Sequence, residues 1–384
     1  MIMINSFLHR MRLHDVIRRW MFDDLQAGDV DRILRLVHFN NVYVSRCLDR
    51  FATELFTGLY GGALQVERVS TKGTLRDRIS RNVPSPCARC AELVAAYTRN
   101  PGYYFRETPF HGSLYFHAGR GAARYAGSSR IKRVRRLAEK TARRLVDWVY
   151  GGDIVHTAGS GWQGDMTSDA LMQTEERLLE RLFGDPAAQL PEDLAINDVA
   201  GLKLILEADE LERLLRLLED TGCTLIERER HEGIYRATNL VVGYRPDRDA
   251  ILEEPLQERM IRVFAAHGYS ASQTGAAFRE FVRSGEDQVS LEIIVTSYLE
   301  MLESEIGRCM HEERIIRQRH NPRYYGQLAQ NVGFLMEFLF TYPALPYPQL
   351  ERLPVRLRER YLPDAFDEIR RRLFNNPSVE LDAL

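Results

Sequence analysis

The run Ser290-Leu-Glu-Ile-Ile-Val-Thr296 sets a carboxylate, Glu292, inside an apolar stretch. In an extended chain Leu291, Ile293 and Val295 share one face, and Glu292, Ile294 and Thr296 share the other. A carboxylate is costly to bury unpaired, so the pattern predicts either a sheet mouth facing water or a cation, or a bonded partner. Asp198 is the natural companion, because it stands just before a second apolar run, "GLKLILEA" (201–208). If the two strands are neighbours, Asp198 and Glu292 converge on one hard cation. Mg²⁺ is commonly held by one or two carboxylates plus substrate phosphates. The competing reading is a turn aspartate and a water-facing glutamate on an edge strand.

Lys203 alternates with Leu202 and Leu204, so it points either into the same cleft, toward a triphosphate, or into solvent. "GIYRATNLVV" (233–242) adds Tyr235, Arg236 and Asn239 at a strand entrance. They offer a ring to stack on a base, a guanidinium for phosphate and an amide for hydrogen bonding. Cys87-Ala-Arg-Cys90 has the spacing of half a zinc site without a matching second Cys/His pair, and so reads as two buried or loop thiols. His14-Asp15 lacks the further ligands of a metal phosphohydrolase and reads as a surface dipeptide.

These residues need elements to hold them. Apolar residues recur at helical spacing through residues 5–60. "ALQVERVSTKG" (63–73) reads as a strand, "TLRDRI" as a helix start, and the aromatic, turn-rich stretch after residue 100 as a hairpin. Residues 128–150 read as a basic helix, which would either bind RNA or be neutralised by acidic neighbours. From residue 151 the pattern changes to strands alternating with helices, the last a long helix from about 298 to 318. The resulting fold class is α+β, a mixed β-sheet flanked by helices. The expected divisions are a mainly helical region 1–150, an α+β core 151–318 and a helical tail 319–384.

Bulk composition narrows the classes. In 384 residues, 52 basic side chains oppose 54 acidic ones, for a net charge of −2, so any anion binding must come from local clustering. Five scattered cysteines fit a reducing cytoplasm. No apolar run approaches the roughly 18 residues of a membrane span, so no membrane partner is expected.

In order and register, the pieces resemble the synthetase domain of the RelA/SpoT alarmone synthetases, transferases of the stress response. That family carries pyrophosphate from ATP to the 3′-hydroxyl of a guanosine nucleotide. Its D-x-x-G/A-x-R strand motif has Asp198-Val-Ala-Gly201-Leu-Lys203 as counterpart, and its G-Y-x-S-x-H segment has "GIYRATN". Its E-I-Q-x-R-T strand and E-x-G-x-x-x-H helix align with Glu292-Ile-Ile-Val-Thr-Ser and with Glu305-Ile-Gly307-Arg-Cys-Met-His311. The resemblance covers about residues 150–318.

It implies that Asp198 and Glu292 hold Mg²⁺, that Tyr235 stacks the acceptor base, and that Glu305, Gly307 and His311 support the site from below. Lys203 stands where the family has arginine, Ile294 and Thr296 where it has glutamine and arginine, and Asn239 where it has histidine. The loop before Tyr235 is shortened, so the implied acceptor is a purine nucleotide other than GTP, or an RNA end. On the ATP side, "DIVHTAGSGWQGD" offers only Gly159, Gly161 and Gly164. A closer counterpart, Arg68-Val-Ser-Thr-Lys72-Gly-Thr-Leu-Arg-Asp-Arg78, lies well upstream. The expectation is a divergent nucleotide pyrophosphokinase using ATP and Mg²⁺. Its competitor is a catalytically decayed nucleotide- or RNA-binding protein of the same fold, with RNA contact through 128–150.

Overall fold

The computed structural model describes residues 3–83, 87–118, 123–131, 172–173, 175–177, 179–180, 195–232, 236–309, 312–313, 327–344, 350 and 352–374. Helices α1 (Arg10–Met21) and α2 (Asp29–Tyr60) lead the chain. Asp29 opens α2, where a carboxylate suits the positive end of the helix dipole. It is buried, bonded to Trp20 Nε1 at 3.2 Å and to Arg32 Nη1 at 3.1 Å. β1 (Leu64–Thr71) passes straight into α3 (Lys72–Arg81), whose entry is capped by Thr71 Oγ1 accepting from the Thr74 N–H. Then come α4 (Ala88–Arg99), β2 (Pro109–His117) and β3 (Arg124–Ile131).

β4 (Ala200–Ile205), α5 (Leu211–Asp220), β5 (Thr224–Glu232) and β6 (Arg236–Tyr244) follow. Gly222, with φ of 71°, turns the chain out of α5 into β5. Next are α6 (Arg248–Glu253), α7 (Glu258–Ala266), α8 (Ala271–Arg283), β7 (Val289–Thr296), α9 (Tyr298–Leu302), α10 (Gln327–Thr341) and α11 (Pro363–Phe374). A reciprocal Ser270–Gln273 capping box starts α8.

Among the described residues, seven strands form one sheet in the order β1-β2-β3-β4-β7-β6-β5. Only β4 and β7 run parallel; every other neighbouring pair is antiparallel. The architecture is α+β with a mixed sheet flanked by helices. The sheet draws β1, β2 and β3 from the region expected to be mainly helical, so it extends across residue 150. Residues 128–131 belong to β3 rather than to the start of a basic helix. In Ser128-Ser-Arg-Ile131 alternate residues face opposite sides, and the ladder to β2 satisfies the backbone. The rest of the expected basic helix, 132–150, lies outside the described residues.

Two helical layers cover the sheet unequally. On one face Leu202, Leu204, Leu240, Leu291 and Ile293 pack with Phe51, Leu55 and Phe56 of α2 in the main core. On the other, Val69, Phe110, Leu114 and Phe116 meet α3, α4 and α9 through Leu75, Ile79, Leu93, Tyr298 and Met301. The helix expected over 298–318 gives way to a π turn at Glu303–Gly307, and Cys309 takes a left-handed φ of 43°. A widened turn lets Glu305 point back toward the sheet, which a regular helix continuing outward would not. Among the described residues no helix is long and apolar enough to cross a membrane.

Candidate functional site

On the less covered face, Asp198, Lys203 and Glu292 line one cavity of about 90 Å³, together with Lys72, Ser128, Arg130, Met301 and Glu305. Strand register explains the convergence. Gly201 of β4 pairs with Glu292 of β7, Lys203 with Ile294, and on the other side Arg130 of β3 pairs with Gly201 and Ser128 with Lys203. Cross-strand partners share a face, so Ser128, Arg130, Lys203 and Glu292 all project to one side. Gly201 lets the strands close up here, since a Cβ on it would lie 2.7 Å from the Glu292 carbonyl oxygen and 3.0 Å from its Cβ.

The lining carries three cations, Lys72, Arg130 and Lys203, against three carboxylates, Asp198, Glu292 and Glu305. Lys72 Nζ bonds both Glu305 carboxylate oxygens, at 2.5 and 2.6 Å, and sits 5.5 Å from the centre of the Phe110 ring. Arg76, fully buried, donates to the Glu305 carbonyl at 2.8 Å and to Glu312 Oε1 at 2.7 Å. Burial alone would raise the Glu305 carboxyl, but Lys72, Lys203 and Arg76 reverse that and hold it at about 2. Burial pulls Lys72 and Lys203 below the ordinary lysine value, with Glu305 opposing in both cases and Arg130 adding to the fall. The opposite implications for the two partners, a favoured carboxylate and a disfavoured ammonium, have one origin: a dry site in which several cations surround Glu305.

The remaining expected residues are distributed unevenly. Asn239 pairs with Ile294 in the β6–β7 ladder and therefore shares the Glu292 face. Arg236 is exposed, its backbone N–H 3.5 Å from Glu300 Oε2. Tyr235, His311 and Gly159, Gly161 and Gly164 lie outside the described residues. Glu305 reaches the cavity, and Gly307 is held in the π turn, where a Cβ would meet Glu303 and Leu93.

The upstream motif divides. Lys72 reaches the cavity, but Arg68 does not. It pairs with Ser113 in the ladder, on the α2 side of the sheet, and its guanidinium lies 3.4 Å from Asp49. Arg78 turns outward to Glu67, with Nε at 2.6 Å. A two-residue period along β1 sets Arg68 opposite Val69, and α3 directs Arg78 to Glu67 of β1, so neither of these two lines the cavity. Arg130 and Ser128 were missed as cavity residues, because β3 offers little apolar alternation and its end was read as helix. Arg76 had no signal beyond its place in the same motif.

Among the described residues no three His, Cys, Asp or Glu side chains are grouped closely enough to hold a metal. Asp198, just before β4, and Glu292 on β7 are two carboxylates of the kind that, with water and phosphate oxygens completing the shell, suit Mg²⁺. No protein-family model and no curated protein matches the chain. Among solved structures the chain is similar to the crystal structure of small alarmone synthetase 1 from Bacillus subtilis, at 15% identity and a TM-score of 0.20, over 54% of this chain and 88% of that one. Agreement that loose transfers no residue role.

Proposed function

We propose that this cavity is the phosphate end of a nucleotide site, and that the protein is a divergent nucleotide pyrophosphokinase moving pyrophosphate from ATP to the 3′-hydroxyl of a purine nucleotide or RNA end. The observation that supports it is the meeting of Asp198 and Lys203 with Glu292, far along the chain from both, around one cavity. Bound there, Mg²⁺ would be held by Asp198 and Glu292 and would neutralise charge on the transferring group. Lys203 orients phosphate oxygens from β4, and Arg130 adds a planar fork from β3. Glu292 would accept a proton from an attacking hydroxyl. Asn239 faces the same side one strand over.

A second reading, a non-catalytic nucleotide- or RNA-binding protein, draws support from the cations. Lys72 is engaged by Glu305, Arg68 by Asp49 and Arg78 by Glu67, so the three ATP-side groups serve structure. Purified protein incubated with labelled ATP, Mg²⁺ and a panel of purine nucleotides and tRNA separates the two. Transfer with release of AMP, abolished in Asp198→Asn and in Glu292→Gln, supports catalysis. Transfer that survives both substitutions refutes the proposed mechanism. A nucleotide that raises the melting temperature without turnover supports the binding reading.

A further inference from the structure

The Cys87-Ala-Arg-Cys90 motif sits away from this cavity, at the start of α4. Cys87 is the N-cap residue, with extended backbone at φ −133° and ψ 161°. Its sulfur accepts the Cys90 N–H at 3.2 Å, and its own S–H donates to the Cys90 sulfur at 2.6 Å. A disulfide bond is about 2.05 Å long, so closing the pair needs only a small approach within one helical turn. The two thiols differ in access. Cys87 is exposed, while Cys90 is 2% exposed in the smaller core with Tyr298, Met301 and Leu302.

We propose that Cys87 and Cys90 are a redox-active dithiol, with Cys87 the attacking sulfur and Cys90 the resolving one, oxidised by exchange with a low-molecular-weight disulfide. The Cys87 thiolate attacks one sulfur of the small disulfide, forming a mixed disulfide and expelling one thiolate. Cys90 then gives up its proton and attacks the Cys87 sulfur, expelling the second thiolate. Two protein thiols become one disulfide, and the small disulfide becomes two thiols.

The order of attack follows from the surroundings. Hydrogen bonding with the Cys90 side chain and then with the Cys90 N–H holds Cys87 below the ordinary thiol value, opposed by desolvation and Glu92. Burial and the bond to Cys87 push Cys90 up to about 11. The other three cysteines, Cys47, Cys223 and Cys309, are all raised by burial. A thiol that is both exposed and easily ionised is the one that reacts. The pair also touches the site's support. Arg89, between the cysteines, bonds Glu303 at 2.7 Å, and Leu93 of the same helix lies where a Cβ on Gly307 would meet it. The dithiol therefore caps the helix that buttresses the π turn carrying Glu305, whatever that cavity binds.

The test uses the full chain, reduced, freed of reductant and exposed to glutathione disulfide. Peptide mapping without reduction should find Cys87 joined to Cys90, reversed by dithiothreitol. Cys90→Ser should trap one glutathione on Cys87. Cys87→Ser, a change at an exposed position, should leave Cys90 modified about tenfold more slowly or less. Glutathione found on Cys223 or Cys309 in place of Cys87, or Cys87→Ser being modified as fast as the wild type, would overturn the assignment. Because Cys90 is buried, the wild-type peptide map decides the matter should Cys90→Ser fail to fold.

Discussion

Removing the Lys72 ammonium tests whether the buried pair beneath the cavity behaves as its geometry implies. Lys72 and Glu305 are 5% and 7% exposed, and the two bonds between them are short. Lys72→Met keeps the stem and deletes the charge, leaving Glu305 with Arg76 Nη2 at 3.6 Å and with Lys203. Breaking one partner of a buried pair costs about 3–5 kcal/mol, whereas replacing both with apolar groups of similar size is near neutral or stabilising. The depression of Glu305 from 4.5 to about 2 gives a comparable scale, roughly 3 kcal/mol at 1.36 kcal/mol per pH unit. The lowered Lys72 value acts in the opposite direction, so the intact pair contributes less than either deletion removes.

The assay is urea unfolding of wild type, Lys72→Met, Glu305→Leu and the double variant, read as midpoint shifts at constant slope. The expected result is two costly single variants and a double variant costing much less than their sum, a coupling of about 2 kcal/mol or more. Single variants that each cost under about 1 kcal/mol, or a double variant equal to the sum, would refute the reasoning. The pH arm has a fixed sign. A carboxylate depressed in the folded state contributes stability above its unfolded value, and that contribution disappears as pH falls from 4.5 toward 2. Glu305→Gln should flatten that part of the acid limb.

Gly201→Ala should cost about 1–3 kcal/mol and disturb Glu292, because the added Cβ would meet the Glu292 backbone at 2.7 Å in the parallel β4–β7 ladder; thermal unfolding measures the cost, and an unchanged melting temperature would contradict it. His38, on α2, is buried, and desolvation first, then His267 and Arg259, lower it from 6.5 to about 4. Stability should therefore fall as pH drops from 6.5 toward 4, by roughly 3 kcal/mol from this group. His38→Phe should remove most of that slope in unfolding measured across the range.

The strands carrying Lys203 and Glu292 were legible because a period-two run with one charged position describes both a strand and the face its charge occupies. β4 and β7 follow that pattern closely. β3 does not: its glycine, two serines and two arginines offer little apolar alternation, and the basic residues after it extend a helical-looking pattern backward. That loss concealed Arg130. The distance between Lys72 and the later strands was also illegible. Local patterns do not reveal that β1 to β3 add to the edge of β4. The π turn had no signal either, since Glu-Ser-Glu-Ile-Gly is equally compatible with an ordinary helix, and only the partners Lys72 and Arg76 account for the direction Glu305 takes.

That direction bears on how an anion would enter. A phosphate approaching Lys72 competes with Glu305 for the same ammonium, and separating the buried pair costs about 3 kcal/mol or more unless the newcomer replaces both bonds. Lys203 and Arg130 line the same cavity from β4 and β3, so a phosphate can reach them without separating Lys72 from Glu305. Removing them should therefore weaken phosphate binding without the stability loss of Lys72→Met. For nucleotide-induced changes in melting temperature, Arg130→Gln and Lys203→Met should abolish the ligand shift while changing the ligand-free value by much less than Lys72→Met does. If Lys72→Met alone abolished the shift while both of these retained it, the phosphate would be bound on the α3 side, and Asp198 and Glu292 would no longer face it.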